Sequence, residues 1–202
     1  MIIQSVFPEP VYFSKLARAL TKEELQTINK YKKKTYKNTG NLTSLEHFVL
    51  EDKALKNLKE DLQKIVVDYF NKVVCTKNSI IPYITQSWLN YTEINQFHQK
   101  HYHPNSYASG IFYIDAKKEV DQVKFYKRGD SQIQLEVIKF NDFNSTSGWF
   151  PVQSGDILLF PSTVMLGVDK KKGTNTRTSL SFNVFMKGKI GDKFKKTELV
   201  LK

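Results

Sequence analysis

From residue 80 onward, the sequence consists of short β-branched and aromatic runs separated by turn residues, and this pattern constrains the fold more than any other feature. There are about eight such runs: YITQSWLNY, SGIFYI, VKFYK, IQLEVIKF, WFPV, DILLF, LGV and TSLSFNVF. Turn chemistry comes from Gly129-Asp130, Gly155-Asp156 and Lys172-Gly173. Short strands that follow a helical pair predict a jelly roll with the helices packed on its outside.

Two helical segments precede these strands. Thr21 and Glu24 form a capping-box pattern at the start of LTKEELQTINKYKKK, which predicts a helix. A longer helix is predicted from about Asp52 to Val74, where apolar residues recur at spacings of three and four. The polar stretch KNTGNLTS between them is predicted to be a loop. We therefore expect an α+β protein, mainly β, with a helical part at 1–79 and a β core at 80–202.

Length and composition favour one domain over residues 1–202, because 40% hydrophobic content in a chain of this size can bury a substantial core. The segment after Met1, IIQSVFPEPVYF, lacks the basic region and apolar run of a secretory signal, and no window reaches the roughly 18 apolar residues of a membrane span. Cys75 is the only cysteine. These features predict a cytoplasmic protein without membrane association or an internal disulfide.

The net charge of +11 raises the question of nucleic-acid binding. The basic residues are 28 lysines and only three arginines, Arg18, Arg128 and Arg177. Phosphate and base recognition favours the bidentate fork of arginine over scattered lysines, so we expect no nucleic-acid partner. By the same reasoning, Arg177 stands out as an uncommon residue placed on an otherwise apolar strand.

Three of the four histidines, His98, His101 and His103, lie within the segment FHQKHYHPNSYASGIFYI. In an extended segment residues i and i+2 point to the same side, so His101 and His103 can bind one metal ion together. His98 has the opposite parity, and a bend is needed to bring it to the same side. Neutral imidazole suits Fe, Zn, Cu or Ni, so the pair alone does not select the metal. The alternative is that these histidines are surface or hydrogen-bonding residues of a loop before Pro104.

HYHPNSYASGIFYI, WFPVQSGDILLFPS and TRTSLSFNVF together resemble segments of the 2-oxoglutarate/Fe(II)-dependent oxygenases of tailed phages and bacteria, which are relatives of prolyl hydroxylases. FPEPVYF is similar to the N-terminal signature of this family, so the resemblance extends over almost the whole chain. It implies a double-stranded β-helix, which is a form of jelly roll. It also implies a dioxygenase that uses Fe(II) and 2-oxoglutarate to hydroxylate a substrate, with release of succinate and CO2.

The resemblance also implies roles for individual residues. His101 matches the first iron ligand, and His103 matches the second, with imidazole in place of the usual carboxylate. Arg177 matches the clamp for the distal carboxylate of 2-oxoglutarate, and Ser179 and Tyr113 match residues that assist it. A guanidinium fork suits a carboxylate because it donates two parallel hydrogen bonds.

Leu166 occupies the position at which the family has its distal iron-binding histidine, two residues before Val168. A leucine side chain has no lone pair to donate to a metal, so the usual third ligand is missing. His98, Asp169 or a water molecule could supply the missing donor. Asp169 is most simply explained as a solvated loop residue. If no donor replaces the histidine, iron binding should be weakened by orders of magnitude, in part recovered by chelating 2-oxoglutarate.

Two further features bear on substrates. Trp88 and Asn90 share one face of a strand, where family members often have a polar residue near the substrate; a core Trp with a locally satisfied Asn is the alternative. The run Lys170–Lys172 is interpreted as solvated loop lysines, with guidance of an anion as the alternative. We therefore expect either a hydroxylase of unknown substrate, a protein being one candidate, or a non-catalytic binding or virion-associated module. A phage source is suggested only by the resemblance and the lysine-rich composition.

Overall fold

A computed structural model describes residues 2–129, 133 and 135–202. In this part of the chain there are two α-helices, α1 (Lys22–Lys32) and α2 (Lys56–Tyr69). The strands are β1 (Tyr12–Lys15), β2 (Thr35–Lys37), β3 (Leu42–Ser44), β4 (Ile80–Thr92), β5 (His98–His101), β6 (Ala108–Asp115), β7 (Gln122–Tyr126), β8 (Ser147–Pro151), β9 (Asp156–Pro161), β10 (Met165–Val168), β11 (Arg177–Ile190) and β12 (Leu199–Leu201).

The strands form two antiparallel sheets. The major sheet has the order β1-β9-β6-β11-β4-β3-β2, and β12 pairs with the end of β11. The minor sheet has the order β5-β10-β7-β8, which leaves β5 and β8 at its two edges. Between β4 and β11 the chain passes repeatedly from one sheet to the other, with β7 and β8 both in the minor sheet, and the fold is the expected double-stranded β-helix.

The helices pack on the outer face of the major sheet, as the sequence predicts. Thr21 caps α1 with a complete capping box to Glu24, whose carboxylate also receives two hydrogen bonds from Arg18. The apolar stripe of α2 is buried, and the helix continues into a π-helical turn over Phe70–Val74. Alternate residues of β4 and β11, including Leu89 and Leu180, complete this core.

A second, smaller core lies between the two sheets. It contains Ile111 and Tyr113 from β6, Phe160 from β9 and Leu166 from β10. Because successive residues of a strand point to opposite faces, β4 and β11 direct a second row of side chains into this space. On β11 that row is polar, and it begins at Arg177. The strands therefore bring polar side chains into an otherwise apolar barrel.

Three expectations about secondary structure need correction. The stretch predicted as a loop at 37–44 contains β3, because Gly40, with φ of 95°, closes a hairpin with β2. The helical N-terminal part therefore also supplies β1, β2 and β3 to the major sheet. The run IQLEVIKF is not a strand at its described residues, 133 and 135–140, and several of its apolar side chains are exposed. The turn predicted at Gly129-Asp130 includes Asp130, which lies outside the described residues.

Within the described ranges, none of the helices has the length and apolar character needed to cross a membrane.

Candidate metal and dicarboxylate site

The clustered histidines lie at one mouth of the barrel. β5 carries His98 and His101, and His103 follows it, with a backbone N–H that donates to the carbonyl of Ser162. The ring centroids of His98 and His101 are 4.3 Å apart, and those of His101 and His103 are 5.3 Å apart. The strand thus brings all three rings together in one stack, including His98, whose parity alone would direct it away.

Two of these rings have a defined tautomer in their neutral form. His101 Nδ1 lies 2.8 Å from the carbonyl oxygen of Gln99, and His103 Nδ1 lies 2.9 Å from Asn183 Oδ1. Both oxygens are acceptors, and Asn183 Oδ1 also accepts from Ser109, so Nδ1 of each ring carries the proton. The Nε2 atoms of His101 and His103 consequently retain the lone pair that a metal ligand needs.

Burial keeps the histidines neutral. It lowers the pKa of His103 to about 4 and that of His98 to about 3, with further lowering by the neighbouring histidines. Burial also lowers the pKa of His101, although its hydrogen bond to Gln99 opposes this effect. At neutral pH the site therefore presents uncharged imidazoles, the form that binds metal ions.

Leu166 lies opposite His101 in the pairing of β10 with β5 and is only 3% exposed. It lines the same cavity as the three histidines. Asp169, three residues later, forms an ion pair with Lys124 at 3.5 Å on the surface instead of entering this cavity. In the described part of the chain, no group of three His, Cys, Asp or Glu side chains is placed to hold a metal ion. The site thus offers two well-oriented donors beside a hydrocarbon.

Arg177 is buried on the inner face of β11, 3% exposed. Its Nη2 donates to Thr92 Oγ1 at 3.1 Å, and its Nη1 lies 3.5 Å from the carbonyl oxygen of Gln122. Among the described residues its Nε has no hydrogen-bond partner, although the atom is fully buried. Burial lowers the pKa of the guanidinium, opposed by the nearby Tyr113 and Asp121. A buried cation with an unused donor is suited to receive an anion.

Ser179 and Tyr113 lie next to this arginine. Ser179 follows Arg177 by two residues on β11, and it is directly paired with Tyr113 on β6 and with Asn90 on β4. All four side chains line one buried cavity together with the histidines. Burial raises the pKa of Tyr113 above its usual range, so its hydroxyl remains protonated and can donate a hydrogen bond.

The buried cavity is small, with a volume of about 20 Å³. An open groove of about 850 Å³ adjoins it and shares the three histidines as lining residues. A cavity of the smaller size holds roughly one water molecule, whereas ligand pockets usually measure about 300–1,000 Å³. A dicarboxylate can reach Arg177 only if lining side chains or β5 move.

The groove presents aromatic rings and uncharged polar groups. Trp88 lies on its floor, with its ring 5.4 Å from the ring of His103. The lining residues among the described part of the chain include no Lys, Arg, Asp or Glu, although 25% of the sequence is charged. Asn90 instead lies in the buried cavity, where its amide is already bonded to Thr43 and Ser181. Of the two predicted substrate residues, only Trp88 reaches the groove.

Some residues of the site were not found by sequence reasoning. Thr92 and Asn183, which hold Arg177 and His103, continue the inward-facing polar rows of β4 and β11 at steps of two. That periodicity was the available signal. Lys171 is 3% exposed, so the interpretation of Lys170–Lys172 as solvated lysines is wrong for its middle residue. A run of three lysines carries no sequence signal that would single out this one.

The two antiparallel sheets form a double-stranded β-helix, and the paired histidines and the arginine line one of its cavities. Residues 86–183, just under half of the chain, match a family described as "Putative 2OG-Fe(II) oxygenase". The match includes the histidine segment, Leu166 and Arg177. A search of curated proteins gave no significant match.

Solved structures of low sequence identity have the same fold. A prolyl hydroxylase from Trichoplax adhaerens, in complex with a peptide fragment of hypoxia inducible factor, aligns with 13% identity over 86% of this chain and 83% of that chain, with a TM-score of 0.59. A prolyl-4-hydroxylase from Pseudomonas putida aligns with 11% identity over 85% of this chain and 91% of that chain, with a TM-score of 0.52. HygX from Streptomyces hygroscopicus, with nickel and 2-oxoglutarate bound, aligns with 11% identity over 87% of this chain and 82% of that chain, with a TM-score of 0.52.

Proposed function

We propose that the protein is a 2-oxoglutarate- and Fe(II)-dependent oxygenase of the hydroxylase type. The observation that carries this proposal is one cavity in which the buried Arg177, with an unused Nε donor, lies among histidines whose Nε2 lone pairs are free. A dicarboxylate that also chelates a metal satisfies both requirements at once. The family match over 86–183 supports the same assignment.

Arg177 is proposed to bind the distal carboxylate of 2-oxoglutarate, with Ser179 and Tyr113 as hydrogen-bond donors to it. The three side chains are held on two paired strands, so their relative positions are fixed by the sheet. Thr92 and Gln122 fix the guanidinium, so that little side-chain entropy is lost on binding. Tyr113 donates its proton without ionising, because burial keeps its hydroxyl neutral.

His101 and His103 are proposed to hold Fe(II) through Nε2, with the second histidine in place of the carboxylate that the family uses. Gln99 and Asn183 orient the two rings through Nδ1. Bound Fe(II) and 2-oxoglutarate, together with O2, would supply the oxidising chemistry that hydroxylates a C–H bond, with one oxygen atom going to the substrate and the other to succinate as CO2 is released. Leu166 is proposed to stand in the position of the family's distal histidine. His98, whose ring stacks on that of His101, would have to move to supply the remaining donor, because the described residues contain no group of three donors placed for a metal ion.

The groove is proposed to bind the substrate. Trp88 lies beside His103, so a substrate group that stacks on its ring is brought to the edge of the metal site. Since the described lining carries no charged side chain, the bound part of the substrate is expected to be uncharged. A protein substrate is one candidate, because the groove is open and has a volume of about 850 Å³. We also propose a cytoplasmic location, in the host cytoplasm if a phage encodes the chain. The exposed Cys75 is a free thiol, which a reducing compartment preserves.

The second candidate is a non-catalytic binding or virion-associated module. It is favoured by Leu166 at the metal position and by the lack of a third donor among the described residues. Such a protein would keep the dicarboxylate clamp and lose productive metal binding. The two candidates therefore predict the same response to 2-oxoglutarate and different responses to iron.

Anaerobic titration with Fe(II), in the presence and absence of 2-oxoglutarate, separates the two candidates. The oxygenase is expected to bind Fe(II) with micromolar affinity in the presence of 2-oxoglutarate, and an Arg177→Met variant should lose that enhancement. Dicarboxylate binding without any iron binding would support the non-catalytic module. If neither ligand binds, both candidates fail.

A further inference from the structure

Lys171 is a buried lysine whose ammonium group is completely surrounded by acceptors. Its side chain is 1% exposed, and Nζ lies 2.8 Å from Asn175 Oδ1, 3.1 Å from the carbonyl oxygen of Gly173 and 3.4 Å from Asp121 Oδ1. The loop packs closely around the ammonium group: a Cβ added at Gly173 would lie 2.8 Å from this Nζ. Its neighbours Lys170 and Lys172 are exposed.

Asp121 is the buried carboxylate that faces this lysine. Its side chain is 0% exposed, and Oδ2 accepts from the backbone N–H of Lys117 at 2.9 Å and from Asn175 Nδ2 at 3.2 Å. Oδ1 has no hydrogen-bond partner among the described residues and contacts only the lysine charge. The carbonyl of the next residue, Gln122, receives Nη1 of Arg177. Asp121 is therefore near the guanidinium and opposes the lowering of its pKa.

The charges at this end of the barrel do not balance. Two cations, Lys171 and Arg177, are buried beside one buried carboxylate, Asp121. A buried carboxylate that loses its partner ion is strongly destabilised and attracts the nearest remaining cation. If Lys171 were neutral, that cation would be Arg177, whose Nε is unpaired. Because Lys171 pairs with Asp121, the positive charge of Arg177 remains available for a ligand in the cavity.

Lys171 also connects the arginine to the histidine strand. Its backbone N–H donates to the carbonyl of Gln96 at 2.8 Å, and its carbonyl accepts from Asn95 N–H at 2.9 Å. These two residues lead directly into β5. The segment that holds the ammonium group is consequently fixed against the segment that carries His98.

We propose that Lys171 is a positioning residue: by pairing with Asp121, it prevents this carboxylate from neutralising Arg177 and so keeps the guanidinium available for a dicarboxylate. This inference rests on the proposed function, since the dicarboxylate is taken to be 2-oxoglutarate. It assigns a role to a lysine that does not touch the ligand. The role depends on charge, which distinguishes it from a purely structural one.

The test is a double-mutant cycle with 2-oxoglutarate as the titrant, measured calorimetrically in the presence of Mn(II) under anaerobic conditions. Lys171→Met should weaken 2-oxoglutarate binding by about tenfold or more, because Asp121 then competes for Arg177. Asp121→Asn should bind it as tightly as the wild type or more tightly. The double variant should recover to within about threefold of the wild type, since it lacks both charges. Lys170→Met, the same change at an exposed neighbour, should have no effect.

Two results would overturn the proposal. One is a Lys171→Met variant that binds 2-oxoglutarate as tightly as the wild type, and the other is a double variant that stays as weak as Lys171→Met. Should Lys171→Met fail to fold, Asp121→Asn alone decides: unchanged or tighter binding supports the proposal, and weaker binding refutes it. If the wild type itself does not bind 2-oxoglutarate, it is the proposed function that fails.

Discussion

Leu166 and His101 lie directly opposite each other in the antiparallel pairing of β10 and β5, and both line the cavity that contains Arg177. Opposite residues of neighbouring strands point to the same face of a sheet. A donor atom at position 166 would therefore enter the space next to the imidazoles. If the protein is the oxygenase proposed above, the leucine side chain at this position would make its iron site weaker than one with a third ligand.

Leu166→His is expected to raise the affinity for Fe(II) by about tenfold or more, because it adds a third imidazole beside His101 and His103. Anaerobic Fe(II) titration of the variant and the wild type measures the change. Met165→His is the matched control, because the preceding residue of β10 points to the opposite face and does not line the cavity. An unchanged titration curve for Leu166→His would mean that this position does not face the metal.

Arg177→Met is expected to abolish 2-oxoglutarate binding while leaving the ligand-free protein as stable as the wild type, or more stable by about 1 kcal/mol. The reason is that replacement of a buried, incompletely paired charge by an apolar side chain is often neutral or stabilising. Urea unfolding with and without 2-oxoglutarate measures both effects. Arg177→Lys should not restore binding, since an ammonium lacks the bidentate fork. A large loss of stability in Arg177→Met would show that the guanidinium serves the fold instead of a ligand.

The ligand-free protein is expected to lose stability as the pH falls from about 6.5 towards 4. Burial lowers the pKa of His98 to about 3 and that of His103 to about 4, from an ordinary value of 6.5. In this pH window the unfolded chain binds protons that the folded protein does not, so the free energy of unfolding decreases as the pH falls. Above pH of about 6.5 these two histidines no longer change the free energy of unfolding, because they are neutral in both states. Urea denaturation at several pH values measures the slope.

Two variants test the origin of this slope. His98→Asn should flatten the dependence, because it removes one of the two depressed groups. His47→Asn is the control, since His47 lines the open groove and is not one of the three stacked rings. A wild-type slope in His98→Asn would show that His98 does not contribute to the effect.

Much of the fold could be predicted from the sequence because local signals dominate it. The capping box at Thr21 and the apolar stripe of α2 determine the helices, and the alternating runs determine most strands. The strand prediction for IQLEVIKF was wrong: its described residues are not in a strand, although their composition favours one. The short β3 was missed because three residues with Gly40 and Asn41 before them carry a stronger turn signal than strand signal.

The site was predictable where residue type and period coincide. The i and i+2 spacing of Arg177 and Ser179 was sufficient to place both in one cavity. The contact between His98 and His101 was not predictable, because it depends on the irregular register between β10 and β5. The burial of Lys171 depends on Asp121, 50 residues earlier in the chain, which only the folded structure brings to it.

Binding of 2-oxoglutarate is expected to slow amide hydrogen exchange in β5. The cavity of about 20 Å³ is too small for the ligand, and β5 is a four-residue edge strand paired only with β10, so it is the element most able to move. Exchange measured by mass spectrometry should show protection of the peptide that contains His98–His101, with α2, which packs on the outer face of the major sheet, as an unchanged internal reference. Equal exchange with and without ligand would locate the opening elsewhere.

The most direct test of the central claim is the formation of succinate from 2-oxoglutarate in the presence of Fe(II) and O2, without added substrate. The account predicts a slow, iron-dependent turnover in the wild type and none in Arg177→Met. Leu166→His should be faster than the wild type if iron occupancy limits the reaction. Absence of succinate from the wild type and from Leu166→His, with Fe(II) present at saturating concentration, would contradict the assignment as an oxygenase.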